Sequence, residues 1–91
     1  MMARAHIIVT GLVQGVFFRF NTVQKAQELN VYGLVRNLRD GRVEIICERA
    51  EGSVNKLVEW SKKGPEGAYV KNAHITWEQY TGDFETFEIA Y

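Results

Sequence analysis

The Asp40-Gly41 dipeptide near the middle of the chain constrains the fold more than any other feature of the sequence. Asp-Gly favours a tight hairpin turn, and the segments around it, residues 32–38 and 42–48, are rich in strand-forming side chains. These two segments are therefore predicted to pair as antiparallel strands. One helical pattern precedes the first of these strands in the sequence and another follows the second strand. The hairpin therefore joins two strand–helix–strand halves.

The helices and the outer strands are predicted from periodicity and from residues that favour helix ends. Apolar side chains recur at helical spacing in residues 19–29, where Asn30 favours a stop, and again after Ser53, which is expected to cap the second helix. The helix residues predicted to face inward are Val23, Ala26, Leu29, Val54, Leu57 and Val58. Alternating patterns predict further strands at residues 6–12, 70–80 and 87–91.

This element order predicts an α+β fold, the ferredoxin-like split βαβ sandwich, with a βαββαβ core, a short C-terminal strand and an antiparallel sheet that carries both helices on one face. At 91 residues, a single domain over residues 1–91 is expected. Strand alternation predicts that nine side chains lie beneath the helices: Ile7, Val9, Val35, Val43, Ile45, Cys47, Ala73, Ile75 and Trp77. The side chains predicted to lie outside are Glu44, Glu48, His74 and Glu78.

Composition argues against several classes of protein. The 11 basic and 11 acidic residues cancel, so no long-range field attracts nucleic acid or an anionic membrane. The single cysteine, Cys47, cannot form an intramolecular disulfide and suits a reducing cytoplasm. The apolar run at Ile7-Ile8-Val9 is too short for a signal sequence or a membrane span. A cytoplasmic monomer with no nucleic-acid or membrane partner is the expectation.

A turn containing Gly15 joins the first strand to the first helix and is a candidate anion-binding site. The glycine allows a turn whose backbone amides have no partner, and these amides, with the first amides and the positive dipole end of the helix, favour a bound negative charge. Arg19 adds a fork of donors that fits phosphate oxygens. Alternation places Asn37 on the helix side of its strand, within reach of the mouth of this turn. Each residue alone also fits a structural role, because turns use glycine and asparagine widely.

Three segments of the chain resemble the acylphosphatases, small enzymes that hydrolyse carboxyl-phosphate mixed anhydrides. They are residues 9–19 (VTGLVQGVFFR), 33–44 (GLVRNLRDGRVE) and 64–70 (GPEGAYV), and the terminal Phe87-Glu88-Ile89 extends the similarity. Three spaced motifs in order are more specific than a single glycine motif. The resemblance implies hydrolysis of a small acyl phosphate to a carboxylate and inorganic phosphate.

The same resemblance implies a role for individual residues. Arg19 would bind the phosphate and Asn37 would orient the attacking water. The remaining phosphoryl oxygens would be held by the loop amides of Gln14, Gly15, Val16, Phe17 and Phe18. No obligatory metal, other cofactor or covalent enzyme intermediate is implied, and inorganic phosphate is expected to be both product and inhibitor.

Three alternatives share this fold. A non-catalytic domain that senses phosphate or another anion would keep the turn but would not need Asn37. An RNA-binding module would expose aromatic rings on its central strands, whereas Glu44, Ile46 and Glu48 occupy the outward positions here, where carboxylates repel phosphate. Acylphosphatase-like domains also occur in larger carbamoyl-transfer proteins, and for a chain of this length a free-standing enzyme is expected.

Overall fold

The structure, a computed structural model, describes residues 1–91 and contains five strands and two helices. In chain order the elements are β1 (Met2–Leu12), α1 (Phe18–Leu29), β2 (Tyr32–Asn37), β3 (Val43–Ala50), α2 (Glu51–Ser61), β4 (Tyr69–Glu78) and β5 (Phe87–Ile89). The predicted βαββαβ order with a short final strand is confirmed. Neither helix has the length and apolarity that crossing a membrane would require.

The strands form one sheet in the order β4-β1-β3-β2-β5. β3 pairs antiparallel with β1 on one side and with β2 on the other, and β4 pairs antiparallel with the outer edge of β1. The short β5 differs from the rest because it runs parallel to β2. The four main strands therefore form the predicted antiparallel sheet of a ferredoxin-like sandwich.

Both helices cover the same face of the sheet. α1 packs on β2 and β5, α2 packs on β1 and β3, and the helices contact each other. The predicted strand residues Ile7, Val9, Val35, Val43, Ile45 and Cys47 are all buried in this core, together with Ala26, Val54, Leu57 and Val58 from the helices. Burial raises the pKa of the Cys47 thiol to about 12, so the thiol stays neutral at physiological pH and acts as a small core residue.

One predicted helix end is confirmed and one is wrong. Asn30 ends α1 in the left-handed conformation (φ 58°), where asparagine is tolerated, and the Val31 amide donates to the Ala26 carbonyl. Ser53 does not cap α2, because that helix begins two residues earlier, directly after β3. The first helical amide, that of Glu51, donates instead to the carbonyl of Met1, the residue directly before β1. This cap comes from a residue distant in sequence, so local sequence does not reveal it.

Two burial predictions are also wrong. Trp77 was expected beneath the helices but is 51% exposed, because β4 is an edge strand and the helices pack mainly on the other four. Glu48 was expected outside but is only 1% exposed. It faces away from the helices, opposite Cys47, yet the segment containing Thr81 and Gly82 covers it.

The buried Glu48 carboxylate fastens the segment after β4 to the sheet. It accepts hydrogen bonds from the Thr81 amide at 3.0 Å and the Gly82 amide at 2.7 Å, and it pairs with Arg4 at 3.2 Å. Burial alone would raise the pKa of Glu48, but the hydrogen bonds from Thr81, Arg4 and Gly82 outweigh it and hold the pKa below its ordinary value of 4.5. The ionised form therefore stabilises the fold.

Replacing Glu48 with alanine is expected to lower the free energy of unfolding by about 3 kcal/mol, because the Thr81 and Gly82 amides and Arg4 lose their shared partner.

The stabilisation by Glu48 is also expected to depend on pH. A carboxyl group whose pKa is lowered by folding stabilises the protein fully above its unfolded pKa, here near 4.5, and that stabilisation is lost as pH falls further. Urea unfolding of wild type and Glu48→Gln between pH 7 and pH 3 measures this. Equal loss of stability on acidification in both proteins would contradict the role of Glu48, and Glu66→Gln, at an exposed site with no ion pair, is the control.

The topology places the ends of β1 and β2 together. Both strands run antiparallel to β3, which lies between them, so they point in the same direction and finish at the same edge of the sheet. Val9 of β1 and Asn37 of β2 pair with the same residue, Val43, from its two sides. The Gly15 turn, which follows β1, therefore lies beside Asn37.

Candidate active site

The turn between β1 and α1 has an unusual backbone. Gly15 (φ 75°) and Phe17 (φ 59°) both occupy the left-handed region. Glycine adopts this conformation without strain, whereas a phenylalanine there costs about 1–2 kcal/mol. Where left-handed residues alternate with right-handed ones, successive backbone amides point to the same side of the turn. They then form a concavity that binds anions. The cost at Phe17 indicates that the shape of this turn is maintained for a purpose other than stability.

The N-terminus of α1 faces this turn without a cap. Phe17 occupies the cap position and makes no side-chain hydrogen bond, and the first turn of the helix holds no acidic residue. The first amides of a helix have no partner within the helix, and the positive end of the dipole lies beside them. These donors are therefore suited to an anion that binds in the turn.

Arg19 is in the first turn of α1 and forms no ion pair with any carboxylate of the chain. Its guanidinium group lies over the ring of the C-terminal Tyr91, with Cζ at 5.5 Å from the ring centroid. Arg4, Arg36 and Arg42, by contrast, each pair with a carboxylate. Arg19 thus keeps its donors available for a phosphate or another oxyanion.

Asn37, the last residue of β2, has a buried side-chain oxygen, Oδ1, to which no group of the protein donates a hydrogen bond. It is the only buried side-chain polar atom of this kind in the protein. A buried acceptor without a partner costs about 1–3 kcal/mol. Such a cost at the mouth of an anion-binding turn points to a role with a bound molecule.

Arg19 and Asn37 line one pocket of about 250 Å³. The other lining residues are Val13, Gly15, Phe17, Phe18, Phe20 and Ile89. The pocket is lined by the backbone of the turn, the guanidinium group of Arg19 and the carboxamide of Asn37, and it is apolar elsewhere. This combination suits a small molecule with an oxyanion at one end and a water molecule beside it.

Of the residues predicted for phosphate binding, some line the pocket and others direct their side chains elsewhere. Gly15, Phe17, Phe18 and Arg19 line the pocket, whereas the half-buried side chain of Val16 packs against the core. The Gln14 side chain does not line the pocket and donates instead to the carbonyls of Leu38 and Arg42, at 2.8 and 2.9 Å. For Gln14 and Val16, the backbone amide is therefore the only group that remains a candidate for binding phosphate.

The Gln14 amide group ties the turn to the hairpin that follows Asn37. It bridges two carbonyls on opposite sides of that hairpin, which itself is closed by the Leu38 amide donating to the Arg42 carbonyl at 2.8 Å. This contact fixes the distance between the two halves of the pocket. Sequence reasoning missed the role of this side chain, because no local pattern reveals a bridge between segments 24 residues apart.

Two further pocket features come from the end of the chain. Because β5 runs parallel to β2, Ile89 pairs with Val35 and the Ala90 amide donates to the Val35 carbonyl at 2.9 Å. This arrangement carries Ile89 into the pocket wall and Tyr91 to Arg19. The alternating pattern of residues 87–91 was visible in the sequence, but the strand that β5 would pair with was not.

The ferredoxin-like fold, with an uncapped helix N-terminus and an unpaired arginine beside the Gly15 turn at one edge of its sheet, defines a class of small anion-binding α+β domains. Comparison with known proteins identifies the family. A model of the acylphosphatase family matches residues 5–89. Acylphosphatases of Pelotomaculum thermopropionicum and Syntrophus aciditrophicus are 47% and 46% identical to this chain, covering 98% and 100% of it and 97% and 95% of their own lengths.

The crystal structure of the Bacillus subtilis acylphosphatase superimposes on this fold with a TM-score of 0.93 at 35% identity, and the alignment covers all of both chains. The chain therefore belongs to the acylphosphatase family. It is a hydrolase whose substrates are small acyl phosphates. The family resemblance drawn from the three sequence motifs is confirmed.

Proposed function

We propose that the pocket between the Gly15 turn and Asn37 is the site of acyl phosphate hydrolysis. Arg19 binds two phosphoryl oxygens through its guanidinium group, and the backbone amides of residues 14–18 hold the rest. Asn37 accepts a hydrogen bond from the attacking water and aims its oxygen at phosphorus. Residues 1–91 act as one domain in this account.

The reaction then needs little beyond positioning and charge stabilisation. The water oxygen forms a bond to phosphorus while the bond between phosphorus and the bridging oxygen breaks, and its electron pair leaves with the carboxylate. One proton of the water passes to a phosphoryl oxygen, which gives dihydrogen phosphate. A carboxylate is a weakly basic leaving group, so neither a strong general acid nor a metal ion nor a covalent intermediate is required.

The buried and unpaired Oδ1 of Asn37 is the observation that carries this proposal. A site built only to bind phosphate would present donors, because ionised phosphate oxygens are acceptors. The carboxamide of Asn37 supplies both kinds of group, because Nδ2 can donate to a phosphoryl oxygen while Oδ1 accepts from a water hydrogen. A group that holds water beside the phosphoryl group favours catalysis over the alternative of a non-catalytic anion sensor.

We also propose a cytoplasmic monomer that does not bind nucleic acid. The Cys47 thiol is buried and free, as expected in a reducing compartment. Glu44 on the outward face of β3 is paired with His6 and Arg36, and the outward positions of this central strand, Glu44, Ile46 and Glu48, carry none of the aromatic rings that RNA-binding sheets use there.

The test is hydrolysis of benzoyl phosphate with a chelator present. Wild type is expected to turn the substrate over, with inorganic phosphate as a competitive inhibitor, because product and substrate share the cradle. Arg19→Ala is expected to raise the inhibition constant of phosphate by about tenfold or more. Noncompetitive inhibition, or an unchanged constant in this variant, would place the phosphate elsewhere.

A further inference from the structure

The wall of the pocket opposite its polar groups is apolar and exposed. Phe17 and Phe20 line the pocket with 78% and 54% of their surface exposed, and Ile89 contributes from β5. Phe17 occupies the cap position of α1, Phe20 is the third residue of that helix, and both rings line the same pocket. Phe18, between them, is different, because it is buried and packs against Trp60 with ring centroids 5.7 Å apart.

Folding does not account for the two exposed rings. An exposed phenylalanine contributes little to the core, since the apolar surface that it leaves in water gains no burial free energy. Phe17 is also held in a left-handed conformation that glycine or asparagine would adopt with less strain. Two exposed rings in one pocket, one of them on a costly backbone, are typical of a surface that contacts a ligand.

The charges of the pocket limit what this wall can bind. Arg19 is the only ionised residue that lines it, and the proposed function assigns that residue to the phosphoryl group. A second negative charge on the substrate would lie against the apolar wall without a partner. The part of the substrate that extends from the cradle is therefore best matched by an uncharged, apolar group.

We propose that Phe17 and Phe20 bind the acyl group, so that the enzyme prefers acyl phosphates with aromatic or other apolar acyl groups. This inference rests on the proposed function and adds the substrate class to it. Phe20 is a specificity-determining residue in this account, because its ring contacts the acyl group and not the reacting phosphorus. Removing the ring weakens binding of apolar acyl groups more than binding of acetyl.

The experiment compares kcat/KM for benzoyl phosphate and acetyl phosphate in wild type, Phe20→Ala and Phe20→Leu. The intrinsic reactivity of each substrate is the same for every protein. It therefore cancels when the ratio of the two kcat/KM values is compared between wild type and a variant. This ratio is expected to fall about tenfold in Phe20→Ala, mainly through KM for benzoyl phosphate, and to recover in part in Phe20→Leu. Trp77→Ala, which removes an equally exposed ring outside the pocket, is the control and should leave the ratio unchanged.

A second arm uses wild type with butyryl phosphate and succinyl phosphate, whose acyl chains have equal length but differ in charge. The uncharged substrate is expected to be preferred by about tenfold or more. Turnover with an unchanged benzoyl-to-acetyl ratio in Phe20→Ala, or with succinyl phosphate as the better substrate, would refute the acyl-binding wall alone. No turnover of any of the four substrates by wild type would refute the proposed function and this inference together.

Discussion

Arg19→Ala is expected to lower kcat/KM for benzoyl phosphate by about three orders of magnitude. Arg19 has no carboxylate partner, so its donors are available to the substrate. It is also the only charged residue lining the pocket, so no other side chain there can replace its two directed donors. Arginine groups that stabilise the transition state of phosphoryl transfer contribute about 10³-fold or more. The loss should appear in both kcat and phosphate affinity, measured by steady-state kinetics with phosphate as inhibitor.

Two companion variants sharpen this prediction. Arg19→Lys keeps the charge but loses the fork of donors, so it is expected to recover only a minor part of the rate. Arg36→Ala removes an arginine that pairs with Glu44 on the outward face of the sheet, and it should keep the wild-type rate. A folded Arg19→Ala protein with near-normal turnover would show that the phosphoryl group binds outside the Gly15 turn.

Asn37→Ala is expected to reduce kcat by about 10²- to 10³-fold, because the attacking water loses the acceptor that orients it. Its stability should be equal to or above that of wild type, since the variant deletes a buried oxygen that has no partner in the folded protein. Inhibition by inorganic phosphate should change little. Kinetics and urea unfolding of the same preparation measure these three quantities.

This pattern separates a catalytic asparagine from a structural one. If Asn37 only supported the hairpin, the variant would lose stability and keep most of its kcat, which is the opposite result. Asn55→Ala, at an exposed position of α2, is the matched control and should change neither property appreciably. A phosphate inhibition constant that rises as much as in Arg19→Ala would instead assign Asn37 to phosphate binding.

Most of the fold was predictable because its signals are local. The Asp40-Gly41 turn, the helix stop at Asn30 and the alternation of β3 from Val43 to Cys47 each act within a few residues, and the structure confirms all three. Such signals determine the order of elements, and the chirality and packing rules of short connections leave few topologies for that order. The sandwich follows from them.

The errors have a common physical cause in contacts between distant segments. The α2 cap missed at Ser53 depends on the Met1 carbonyl, and the burial of Glu48 depends on Thr81 and Gly82. The exposure of Trp77 depends on the position of β4 at the sheet edge. Each contact is decided by tertiary structure, which periodicity alone does not specify.

For the site, alternation and strand direction were enough to bring Asn37 to the mouth of the turn that contains Arg19, and one pocket holds both. The sequence did not reveal the bridge from Gln14 to the hairpin or the contact of Tyr91 with Arg19. It also left the side chain of Phe17 without a role, because the left-handed backbone and the exposed ring of this residue appear only in three dimensions.

The most direct test of the account is the fate of the solvent oxygen. Wild type hydrolyses benzoyl phosphate in water enriched in heavy oxygen, with a chelator present, and the products are analysed by mass spectrometry. Attack of the Asn37-oriented water at phosphorus predicts that the label enters inorganic phosphate and is absent from benzoate. Label in benzoate would mean that water attacks the carbonyl carbon, and the proposed arrangement of Arg19, Asn37 and the Gly15 turn would be wrong.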